Sequence, residues 1–217
     1  MMCNNKKIIV FDVDGTLFDT KPGIFDALED VFEHFGLGEF NHEIGDKYIG
    51  PSIKDSMMKF HGMNETKAQE VALYYRQVYI DHYIQNSTPY DGIRELIDKL
   101  LDEGYRLAIA TNKTSRQVEK LFSVTEVEKG RFFAIKTAIE NGGLTKTEML
   151  QQIVEETGES HSVVMIGDTF GDQKAAEAAR VGFVGVTYGY GFDTQETYDF
   201  LTVGKIQDMF DCICELI

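Results

Sequence analysis

The sequence predicts an α/β fold in which a parallel sheet is flanked by helices and interrupted, after its first strand, by an all-helical block. Three observations carry that prediction. Short, almost wholly apolar runs end abruptly in polar residues, as strands buried on both faces do. Segments with apolar residues at helical spacing alternate with those runs, the pattern of strand–helix–strand units. The stretch from 20 to 88 breaks the alternation, with helix-like periodicity and no convincing strand.

The first run, Lys7 to Asp12, is rich in β-branched residues and stops at Asp and Gly. A second, Tyr105-Arg-Leu-Ala-Ile-Ala110, leads into Thr111-Asn112, and a third, Ser162-Val-Val-Met-Ile166, into Gly167-Asp168. A fourth, Gly182-Phe-Val-Gly-Val186, precedes a glycine-rich loop. Helices are expected over Asp91–Glu103, where Ile93, Leu96, Ile97, Leu100 and Leu101 share a face and Gly104 ends the run. They are also expected over Thr145–Thr157 and Gly171–Val181. In the inserted block the helices fall at about Pro22–Phe35, Ile53–His61 and Asn64–Ile84. The division is therefore residues 1–19 and 89–217 for the sheet-bearing part and 20–88 for a helical cap.

At 217 residues the chain can bury a substantial core. Its net charge of −15 opposes nucleic-acid backbones and argues against that partner. Three cysteines, Cys3, Cys212 and Cys214, form no disulfide framework, and no second ligand pair completes a structural zinc site around the last two. The apolar run at 8–11 is too short for a signal-peptide core or a membrane span. Together these features read as a soluble, unexported cytoplasmic protein without membrane partners.

The strand ends carry the chemistry. In an open α/β sheet, ligands bind beyond the carboxyl ends of the strands. Here those ends supply Asp12-Val13-Asp14-Gly15-Thr16, Thr111-Asn112, and Asp168 with Asp172 one helical turn on, while Lys146 opens an intervening helix. Taken singly, each has a bland reading as a turn residue, a helix cap or a solvated lysine. A calcium loop starting at Asp12 fails, because the sixth and twelfth positions hold Leu17 and Gly23 instead of Gly and Glu. Taken together, carboxylates from two strand ends would repel one another in one crevice. A hard divalent cation relieves that repulsion, and few oxygen ligands favour Mg²⁺.

Asp12-Val-Asp-Gly-Thr-Leu17, Thr111, Lys146 and Gly167-Asp-Thr-Phe-Gly-Asp172 resemble the four ordered motifs of the haloacid dehalogenase superfamily. The resemblance spans nearly the whole chain, and Tyr90-Asp-Gly-Ile-Arg-Glu-Leu96, Ala110-Thr-Asn-Lys113 and Tyr188-Gly-Tyr-Gly191 look phosphoglycolate phosphatase-like. It implies a Rossmann-like core with a helical cap and a Mg²⁺-dependent phosphatase working through an aspartyl-phosphate. On that resemblance Asp12 is the nucleophile and Asp14 the general acid and base. Thr111, Asn112 and Lys146 bind the phosphoryl group. The metal takes the Asp12 carboxylate, the Asp14 carbonyl, Asp168 and the neighbourhood of Asp172. Gly50 and Arg76 are cap candidates for substrate contact. The segment between Ser123 and Gly143 departs from the family pattern and Lys146 lacks the usual following Pro, which leaves Lys136 as the other candidate lysine. Tyr75, Tyr79 and Tyr83 recur every four residues, a spacing read as cap packing.

The partner expected is a small phosphorylated metabolite, acted on by a monomer or a homodimer. A phosphomutase of the β-phosphoglucomutase type, a nucleotidase or pyrophosphatase, and a non-enzymatic regulatory protein retaining the fold remain alternatives.

Overall fold

A computed structural model describes residues 7–138, 143–157 and 162–216; Cys3 lies outside them. Its central sheet has six parallel strands: β1 (Ile8–Phe11), β4 (Arg106–Thr114), β5 (Phe132–Ala138), β6 (Val163–Gly167), β7 (Gly182–Val186) and β8 (Leu201–Val203). Their spatial order is β5-β4-β1-β6-β7-β8. From β1 the chain first builds outward through β4 and β5, then crosses back to add β6, β7 and β8. The ends of β4, β1 and β6 therefore flank the point where the order reverses, the place where such sheets bind ligands.

Alternation along the strands supplies both faces with apolar side chains. Ile9, Phe11, Leu107, Ile109, Val164 and Ile166 face one side. There they pack with α4 (Ile93–Asp102), α5 (Ser115–Val124) and α8 (Ile206–Leu216). Ile8, Val10, Ala108, Ala110, Val163 and Met165 face the other. They meet α6 (Lys146–Thr157) and α7 (Phe170–Ala179). The result is a helix–sheet–helix sandwich.

Four strands were not legible in the sequence. The strand β8 and the pair β2 (Phe18–Asp19) with β3 (Thr88–Pro89) are too short to show an apolar run, and β5 opens on Phe132-Phe133-Ala134-Ile135 but continues through Lys136 and Thr137. The pair is antiparallel, with Phe18 opposite Pro89, and it clasps the two crossings between sheet and insert. Between those crossings lie α1 (Lys21–Phe35), a 3₁₀ turn at His42–Tyr48, α2 (Ile53–His61) and α3 (Glu65–Val78). The helix expected over Asn64–Ile84 instead ends at Val78. A wide π turn at Tyr79–Tyr83 and a 3₁₀ turn at Ile84–Asn86 follow it. The insert has no separate core: Ile24, Leu28, Phe32 and Tyr79 belong to the same apolar cluster as Phe11 and Ile109.

Candidate active site

The site starts where β1 stops. Asp12 still belongs to the sheet, its N–H donating to the Ile166 carbonyl at 2.9 Å. The chain then turns tightly, with the Leu17 and Phe18 N–H groups returning to the Val13 carbonyl. Gly15 sits at φ +71°, and a Cβ there would lie 2.1 Å from Asp168 Oδ2. Only glycine allows both that backbone and that approach. The turn brings the first strand end directly against the third.

Asp12, Asp168 and Asp172 are buried and offer carboxylate oxygens within 4.8 Å of one another. Lys146, at the start of α6, places Nζ 2.9 Å from Asp12 Oδ2 and also pairs with Asp172 Oδ1. Asp172 Oδ2 accepts from the Thr169 hydroxyl and N–H at 2.6 and 3.1 Å, a capping box that opens α7. Asp168 Oδ2 accepts from the Tyr190 N–H at 2.7 Å. The oxygens left over are Asp12 Oδ1 and Asp168 Oδ1, both buried and without a hydrogen-bond partner.

Burial pushes the Asp12 carboxyl up to about 7, with Asp172 and Asp14 adding to the rise and Lys146 opposing it. Burial and the same crowding push Asp168 well above the usual carboxylate range. Burial alone would lower Lys146, but Asp12 and Asp172 hold it above its ordinary value. Two orphaned carboxylate oxygens in a buried, all-oxygen cluster fit a hard divalent cation. Asp172, with both oxygens already engaged, is better placed to orient Lys146.

Lys136 is not at the site. Its Nζ pairs with Glu156 Oε1 at 2.7 Å. Of the two candidate lysines, Lys146 is the one the fold brings to Asp12. The strand β4 continues three residues past Thr111 instead of stopping before it, which buries Thr111. The Thr111 Oγ1 accepts from the Lys113 N–H at 3.2 Å, leaving the hydroxyl proton available to another acceptor. The Asn112 side chain donates to the Gly50 carbonyl at 2.8 Å and ties the insert to the sheet.

Asp14 has partners of its own. It pairs with Lys113 Nζ at 2.8 Å and accepts from the Thr20 hydroxyl. Lys113, only 5% exposed, also donates to the Tyr79 hydroxyl at 3.2 Å. Tyr79 in turn stacks on Tyr75, the ring centroids 5.7 Å apart. Two of the three insert tyrosines thus pack toward the site, while Tyr83 turns to Asp30 at 3.1 Å. The Tyr190 hydroxyl donates to Asp19 at 2.8 Å and accepts from the Thr20 and Lys21 N–H groups.

Sequence reasoning gave no site role to Lys113, Thr20, Thr169 or Tyr190. The period-two alternation Ile109, Thr111, Lys113 would have exposed Lys113, had the strand been continued through Asn112. Gly50 and Arg76 both line a pocket beside Asp14, together with Tyr75, Asn112 and Lys113.

An open parallel sheet with an acidic, lysine-braced cluster at its reversal point defines a hydrolase of one family. Residues 9–186 match the haloacid dehalogenase-like hydrolase family, and the chain belongs to it. It is 29% identical to a 5'-nucleotidase of Pseudomonas aeruginosa, covering 86% of this chain and 85% of that one. It is 31% identical to a phosphoglycolate phosphatase of Agrobacterium fabrum, covering 84% and 81%. The crystal structure of a predicted phosphatase from Clostridium acetobutylicum superposes with a TM-score of 0.87, at 26% identity, over 97% of this chain and 99% of that one. Among the described residues no helix is long and apolar enough to cross a membrane, and Cys212 and Cys214 are free thiols.

Proposed function

We propose that this chain is a Mg²⁺-dependent phosphatase that hydrolyses a small phosphorylated metabolite through an aspartyl-phosphate on Asp12. One observation carries the reading: Asp12 Oδ1 and Asp168 Oδ1 stand buried and without a partner among the described residues, beside a lysine, where the ends of β1 and β6 adjoin. Relatives that are themselves phosphatases support it.

Asp12 attacks phosphorus while the bond to the leaving oxygen breaks, and the phosphoryl group is held on the carboxylate. Lys146 and the Thr111 hydroxyl meet the negative charge on the transferring oxygens, which dominates the transition state. Asp14 gives a proton to the leaving oxygen, then takes one from the water that releases phosphate from Asp12. An acid at that position is needed for an alkoxide but not for a halide, so Asp14 favours phosphoryl transfer over dehalogenation. The Asp12 and Asp168 carboxylates and the Asp14 carbonyl would hold Mg²⁺, with Asp172 and Lys146 keeping Asp12 oriented. When bound, the cation supplies charge neutralisation for the carboxylates and the phosphate. The insert acts as a cap that excludes water from this chemistry. The reduced thiols and acidic surface suit the cytoplasm.

The test is phosphate release from p-nitrophenyl phosphate and a panel of phosphorylated metabolites with Mg²⁺, for the wild type and Asp12→Asn. Turnover in the wild type and none in a folded Asp12→Asn is expected. Undiminished turnover in the variant would rule out the aspartyl-phosphate, and isomer without free phosphate from a sugar phosphate would make the chain a mutase.

A further inference from the structure

The pocket on the Asp14 side of the site holds a cation with one buried donor unpaired among the described residues. Arg76, on α3 of the insert, places its Nη1 in a buried position without any hydrogen-bond partner, and it forms no ion pair among the described residues. The same pocket is lined by Asp14, Tyr75, Asn112 and Lys113. Buried polar hydrogens are almost always matched, and a guanidinium is the donor best shaped for carboxylate or phosphate oxygens. The chain carries a net charge of −15, and carboxylates are plentiful. Leaving this N–H without one is a property of the pocket itself.

We propose that Arg76 is a specificity-determining residue that selects substrates whose leaving group carries its own negative charge, a carboxylate or a second phosphate. This rests on the phosphatase reading, because Asp14 as proton donor fixes where the leaving group goes. The leaving oxygen must lie against Asp14, so the rest of that group occupies the pocket Asp14 lines. Lys113 answers to Asp14 and Tyr79 already, at 2.8 and 3.2 Å, so the cation in that pocket with a donor still unpaired among the described residues is Arg76. Size narrows the class. The pocket is open to solvent, and its inner part offers about 70 Å³, under half the roughly 150 Å³ of a cavity that takes a benzene ring. A chain of two or three carbons ending in a carboxylate fits, as does a single phosphate. A larger cleft of about 640 Å³ on the Lys146 side, lined by Phe170 and Lys174, does not contain Asp14.

The experiment compares kcat/KM for phosphoglycolate, inorganic pyrophosphate and ethyl phosphate in the wild type, Arg76→Met and Arg76→Lys, all with Mg²⁺. Ethyl phosphate matches phosphoglycolate in length but lacks the second charge. The wild type is expected to prefer at least one charged substrate over ethyl phosphate, and which one it prefers identifies carboxylate or phosphate as the partner. In Arg76→Met that preference ratio should fall by about tenfold or more, the scale of one lost charge-assisted hydrogen bond, through KM more than kcat. Arg76→Lys should recover part of it. A preference ratio unchanged in both variants, or a wild type that favours ethyl phosphate, overturns the assignment while leaving the phosphatase reading intact. No phosphate from any ester or from p-nitrophenyl phosphate overturns both.

Discussion

Asp14 differs from its neighbours in what holds it. Asp12 and Asp172 share Lys146, whereas Asp14 is held by Lys113 and Thr20. That separation matches the division of labour between a nucleophile and an acid–base group, which need different surroundings. Under the proposed mechanism Lys113 is then a positioning residue, acting through Asp14 and not on phosphorus. General acid–base help is worth ~10²–10⁴ in rate, and a displaced acid forfeits part of it. Lys113→Met is therefore expected to lower kcat by roughly ten- to a hundredfold. Loss concentrated on substrates with poor leaving groups, which need the proton, would distinguish this from general damage. Equal losses on p-nitrophenyl phosphate and an alkyl phosphate would argue that Lys113 acts elsewhere.

At the scale of elements, the turn after β1 and the loop after β7 act as one unit. Gly15 rests against Asp168, and the Tyr190 backbone holds that same carboxylate. Gly15→Ala would put a methyl 2.1 Å from Asp168 Oδ2 in a backbone conformation that disfavours side chains. Loss of most activity and of Mg²⁺ binding is expected, measured by turnover and by metal titration, with the sheet intact by circular dichroism. Metal binding at wild-type strength would show that the turn tolerates the shift. The same elements show what sequence can and cannot reveal. Asp12, Asp168 and Lys146 were legible because each follows an apolar run or opens a periodic helix. The strand β5 was not, since its half-buried Lys136 and Thr137 blur the apolar pattern. The end of α3 was missed for another reason. The apolar spacing continues through Tyr79 and Tyr83, but the backbone widens there, and Tyr79 turns toward Lys113. Tertiary contacts of that kind leave no local signature.

The whole molecule carries its electrostatic strain in one place. It is acidic throughout, yet most of its carboxylates are exposed, where solvent screens them. Asp12, Asp168 and Asp172 have no such screening, and Lys146 supplies one positive charge to three acids. Because β1, β4 and β6 form the centre of the sheet, the repulsion acts on the most buried part of the fold. A cation that binds the native cluster and not the unfolded chain stabilises the protein by linkage, about 2.7 kcal/mol at a hundredfold excess over Kd. For a domain of this length that corresponds to a rise in Tm of roughly 5–10 °C. Differential scanning calorimetry of the protein in excess chelator and in millimolar Mg²⁺ measures it without any substrate. Asp168→Asn removes one orphaned oxygen's charge and relieves part of the repulsion. The variant should match or exceed the wild type's Tm in chelator and gain little from Mg²⁺. A wild type whose Tm ignores Mg²⁺ would mean that Lys146 alone balances the cluster, and the case for a resident cation would fail with it.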